Sequence, residues 1–131
     1  MIVADANIYL AVILNEPEKR DIIEKTRGVE LISPEVLPYE IGNALTAMLK
    51  RKRLNREQVI RSFGIFDVIP SHLMSVDIEK ALDIACTFNI YAYDAYYLEL
   101  AKRLKIPLLT LDSQMKEIAE ALKIKLMEVK S

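Results

Sequence analysis

The chain has 131 residues, 52% of them hydrophobic and 28% charged, with a formal net charge of −1. That length fits one domain, residues 1–131, whose core needs no disulfide staple. Three glycines and five prolines exclude a low-complexity chain, and the near-neutral charge excludes a basic field over the whole surface, so any nucleic-acid binding must come from local patches.

Ile2 to Ala4 read as a short buried strand, and Asp5 is suited to cap a helix carrying Ile8, Leu10, Ala11 and Leu14. Pro17 can start the next helix, which carries Ile22 and Ile23 and stops at Gly28. Val29 to Ile32 form a second predicted strand. Ser33 and Pro34 then resemble an N-cap and first helical residue, although Pro38 would remove a hydrogen bond from a regular helix begun there. Ile41, Ala44, Leu45, Met48 and Leu49 recur at helical spacing up to the basic run Lys50 to Arg56.

Asn55 and Gln58 have the spacing of a capping box ahead of the apolar stripe Val59, Phe63 and Phe66, and Pro70 ends that helix. Ser71 to Val76 is an extended piece of ambiguous type. Asp77 caps a predicted helix with Ala81, Leu82, Ala85 and Cys86 on one face, closing at Asn89. Asp94 heads another helix, where its charge suits the helix dipole. Pro107 to Leu111 is a strong strand, Met115 to Leu122 a final amphipathic helix, and Ile124 to Val129 an expected last strand.

Strands separated by helices imply parallel pairing with right-handed crossovers. The expected fold is therefore α/β, a three-layer α/β/α sandwich around a central parallel sheet of four or five strands. Sites in such folds lie beyond the carboxyl ends of the strands, where Asp5 and Asp112 fall. Glu40 and Asp94, near the first turns of their helices, can face the same edge.

Several chemistries lack their residues. The sequence has no phosphate-binding P-loop, no dinucleotide fingerprint and no G-x-S-x-G elbow. A lone cysteine, Cys86, excludes an intramolecular disulfide and a cysteine-ligated zinc ribbon, and reads as inert core. His72, the single histidine, makes a histidine-ligated zinc site a poor expectation and fits a surface or strand-edge position. The chain enters its first strand with no basic leader, so it reads as neither a signal peptide nor a membrane span, and a reducing cytoplasm is the expected setting.

Carboxylates remain, and hard oxygen donors select Mg²⁺ or Mn²⁺. Between such acids a divalent ion lowers the pKa of bound water and neutralises charge developing on a phosphate, chemistry suited to phosphodiester hydrolysis. Taken singly, each acid has an ordinary alternative. Asp5 and Asp112 serve equally as helix caps, Asp94 as a dipole partner and Glu40 as a solvated helix residue.

The stretches VADANIYL, YEIGNAL and YDAYYLELAKRLKIPLLTLD together resemble the PIN domain, most closely the VapC toxin branch of toxin-antitoxin pairs, over nearly the whole chain. The resemblance implies a metal-dependent endoribonuclease whose four acids fall on Asp5, Glu40, Asp94 and Asp112. It implies Asp5 and Asp94 as main ligands for Mg²⁺ or Mn²⁺, Asp112 as completing the pocket or holding a second ion, and Glu40 as positioning water or joining the metal shell. Asn7 and Thr110 match polar positions beside those acids and take supporting hydrogen bonds. RNA is the implied substrate and a small antitoxin protein the implied partner.

Other readings stay open. A PIN nuclease of RNA processing would share the site without an antitoxin, and a binding module would keep the fold without turnover. A haloacid-dehalogenase phosphatase also carries an Asp after its first strand, but Asn7 stands where that family has a second Asp. Tyr91, Tyr93, Tyr96 and Tyr97 surround Asp94 and either pack or stack on unpaired bases. Lys50, Arg51, Lys52, Arg53 and Arg56 form a solvated helix end or a phosphate-binding patch. The apolar helices of residues 36–66 predict a homodimer and an antitoxin-binding groove.

Overall fold

Strand β1 (Ile2–Ala4) is buried at every position, as a strand covered on both faces requires. In the computed structural model, which describes residues 1–130, it lies inside a four-stranded parallel sheet with β2 (Leu31–Pro34), β3 (His72–Met74) and β4 (Leu108–Leu109), in the order β3-β2-β1-β4. Seven helices among the described residues flank it: α1 (Ala6–Ile13), α2 (Lys19–Thr26), α3 (Leu37–Lys50), α4 (Arg56–Asp67), α5 (Ile78–Phe88), α6 (Ala92–Leu104) and α7 (Ser113–Ala121). The expected α/β architecture is the one observed.

Helix ends follow local chemistry. Asp5, Asp77 and Asp112 each accept a backbone N–H at the start of α1, α5 and α7, and Asn55 forms a reciprocal capping box with Gln58, both bonds 2.8 Å. Gly28, just past α2, takes φ +74°, and Asn89 closes α5 in the left-handed region at φ 54°.

Three expectations need correction. Ser33 and Pro34 do not start a helix; they extend β2 and pair with Leu73 and Met74. Pro34 is tolerated because β1 pairs only as far as Ile32, so its missing N–H falls beyond that ladder. The helix begins at Leu37 with Pro38 as its second residue, where no intrahelical bond is lost. The predicted strand Ile124 to Val129 contributes only one parallel bridge, Leu108 to Leu126, since β4 is just two residues long. The sheet's fourth strand comes instead from the ambiguous piece Ser71 to Val76.

Cys86 is exposed rather than core. The buried stripe of α5 runs through Ala81, Ile84 and Ala85, and Cys86 lies outside it. His72 is exposed on β3, at one edge of the sheet. Tyr97 belongs to the core, whereas Tyr91 and Tyr93 stand in solvent. The core is continuous around β1, with Tyr9, Leu37, Ile41, Leu98 and Leu100 packed on the buried strands.

Candidate functional site

Parallel pairing of β1 with β4 sets Ala4 against Leu109, so the next residues, Asp5 and Thr110, leave the sheet side by side. The Thr110 hydroxyl donates to Asp5 Oδ2, while Asp5 Oδ1 accepts the Ile8 N–H at 3.2 Å. Thr110 Oγ1 in turn accepts the Asp112 N–H at 3.1 Å, and Asp112 Oδ1 accepts the Met115 N–H at 3.0 Å. One threonine thus ties two acids from the ends of neighbouring strands.

Asp94 projects from the first turn of α6, and Glu40 from the first turn of α3. Glu40 Oε1 accepts the Tyr97 hydroxyl at 2.7 Å, a bond spanning the two helices. Residues 40 and 97 are far apart in the chain, and no sequence pattern announces that pair. Asn7 is exposed, on the wall of a cavity it shares with Glu40.

Electrostatics join the four acids. Burial pushes the Asp5 carboxyl up to about 7; the Thr110 and Ile8 bonds oppose the rise, and the charges of Asp94 and Asp112 add to it. Burial raises Glu40 as well, against the Tyr97 bond and with a contribution from Asp94. Asp94 is raised by burial and by the charge of Asp112. Asp5, Glu40 and Asp94 therefore each feel a neighbouring acid, the condition in which a bound cation relieves both desolvation and repulsion.

Among the described residues, no three His, Cys, Asp or Glu side chains are arranged as a cage for a metal ion. Mg²⁺ does not demand one, because it keeps several waters and binds through one or two carboxylates. The donor set, all hard oxygen, fits Mg²⁺ or Mn²⁺.

Residues 2–121 match the PIN domain family. The chain belongs to that family. The PIN domain's relatives include VapC ribonuclease Mb0985 of Mycobacterium bovis, 29% identical and covering 92% of this chain and 93% of the relative. Ribonuclease VapC3 of Pyrobaculum aerophilum is 27% identical, covering 92% and 96%. Among solved structures, PAE2754 of Pyrobaculum aerophilum superposes with a TM-score of 0.72 at 19% identity, covering 89% of this chain and 83% of that one. VapBC2 of Rickettsia felis, bound to a DNA fragment from its promoter, gives 0.65 at 17% identity, covering 99% and 100%. At such identities these structures speak for the PIN fold.

Away from the acid pocket, Glu99 of this PIN chain is a buried carboxylate that sequence reading passes over. It accepts the Asp77 N–H at 2.9 Å and the Arg103 Nε–H at 2.9 Å, locking α6 to the start of α5. The i,i+4 pair of Glu99 and Arg103 was the available signal, but such pairs are ordinarily solvated. No helix among the described residues is long and apolar enough to cross a membrane.

Proposed function

We propose that this chain is a toxin ribonuclease of the VapC type, hydrolysing RNA phosphodiester bonds with Mg²⁺ or Mn²⁺ at Asp5, Glu40, Asp94 and Asp112. The observation that carries the reading is the acid set at the carboxyl edge of β1 and β4, in which the Asp5 carboxyl is raised by its burial and by the charges of Asp94 and Asp112. Relatives named as VapC ribonucleases, matched over nearly their full length, support the choice of RNA. The solved VapBC2 assembly supports a small antitoxin as partner.

A divalent ion bound there supplies Lewis acidity and an activated water. The chain's own residues do the positioning. Asp5, whose two oxygens accept from the Thr110 hydroxyl and the Ile8 N–H, would be a ligand already held in place before an ion binds. Asp94, in the first turn of α6, acts on Asp5 through its charge, and Asp112 is held by its own cap bond to Met115. Glu40, with Oε1 held by Tyr97, would offer its other oxygen to water or the ion.

Purified protein is expected to cleave single-stranded RNA with Mg²⁺ or Mn²⁺, to stop in EDTA and to resume when Mn²⁺ is restored. Asp94→Asn should lower the rate at least about 100-fold, the scale of losing one group that stabilises transition-state charge. Cleavage indifferent to EDTA would overturn the metal assignment.

A further inference from the structure

Beside the acid pocket lies a cavity of about 250 Å³ whose walls include Asn7, Tyr39, Glu40, Asn43 and Tyr93. Two of its residues are aromatic and open to water, Tyr39 at 78% and Tyr93 at 54% exposure. Neither ring is part of the core. Asn43 lies one helical turn beyond Glu40 on α3, hence on the same face.

The chemistry of this lining is specific. An asparagine amide offers both acceptor and donors, the complement of a nucleobase edge. Exposed aromatic rings give stacking surfaces for bases released from a helix, the form in which single-stranded RNA is recognised. Glu40 belongs to the cavity wall, as do Ala6 and Asn7, the two residues that directly follow Asp5, so an occupant would lie beside the acid set. The volume suits one planar heterocycle rather than a peptide helix about 10 Å across.

We propose that this cavity receives the single unstacked nucleobase adjoining the scissile phosphate, with Tyr39 and Tyr93 as stacking surfaces and Asn43 reading the base edge. The inference deepens the ribonuclease reading and rests on it for the identity of the phosphate. It makes these three side chains determinants of RNA affinity and base preference rather than of the chemical step.

The test uses full-length protein and fluorescent pentaribonucleotides that differ only in the central base. Binding is read by anisotropy with Ca²⁺, and cleavage by product formation with Mn²⁺. Tyr39→Ala and Tyr93→Ala should each weaken binding and raise KM roughly 5- to 100-fold, the range for loss of one base–aromatic stack. Tyr39→Phe and Tyr93→Phe should restore both, kcat should stay near wild type, and Asn43→Ala should flatten the differences among the four bases. Circular dichroism checks that the exposed-site variants remain folded. RNA cleavage that survives both alanine variants with KM and base preference unchanged overturns the pocket and leaves the nuclease standing. Ring-dependent binding without cleavage in either metal supports the pocket and overturns the nuclease.

Discussion

Asp5 is the most deeply buried of the four acids, and its titration has a consequence for the metal-free protein. Its folded pKa of about 7 lies above the ordinary 3.8, so the folded chain binds the proton more tightly than the unfolded one. Between those values the folded state holds the extra proton, and raising the pH through that window removes stability. Glu40 and Asp94 are raised too and act in the same direction. In EDTA, urea unfolding should therefore show stability falling from pH 4 to pH 7 and levelling above it; Asp5→Asn should flatten the slope. A rise over that interval would contradict the burial assigned to Asp5. Asp5, Asp94 and Asp112 were conspicuous in the sequence because strand ends and helix starts are read from local patterns. Burial depends on which elements close over a residue, so the strain on Asp5 and the Tyr97 bond to Glu40 were not.

At the level of elements, local signals worked where capping chemistry decides the boundary, as at Asp77, Asn55 and Asn89. They failed at Ser33 and Pro34, where a good helix start was overruled by pairing with β3. Nothing local encodes that partner strand. The same dependence on tertiary packing hides Glu99, which sits in an amphipathic helix yet is 3% exposed because α5 packs over α6. It satisfies a backbone N–H at the α5 cap and holds Arg103, whose Nη2 also donates to the Ser75 carbonyl at 3.0 Å. Glu99→Ala should then cost about 2–3 kcal/mol, since hydrogen bonds to a charged group are lost and a buried donor is left without a partner. Chemical denaturation measures this, and RNA cleavage well below the melting temperature should be unaffected because the pair lies outside the acid pocket. A stability change under about 0.5 kcal/mol would place Glu99 among ordinary surface residues.

For the whole molecule, the sheet explains why acids from distant segments meet, but it leaves one flank unaccounted for. Helix α4 turns Phe66 and part of Phe63 inward, against Tyr9 and each other, while Ile60, Ile65 and Val68 face solvent at 69%, 43% and 77% exposure. Leu49, near the end of α3, is exposed at 40%. Exposed apolar side chains on two adjoining helices are the kind of surface a dimer would cover, and a stable dimer buries about 800 Å² on each partner. A second copy related by a twofold axis would cover this face with the same residues. Light scattering should give a mass that rises toward twice the chain's with concentration, and the double variant Ile60→Glu, Val68→Glu should hold it at the single-chain value. The substituted positions are solvent-exposed, so the helical circular dichroism signal should remain. A wild-type mass that stays monomeric over the whole concentration range would rule out self-association, and then recovery of a stable complex only on co-expression with a small partner would assign the face to the antitoxin.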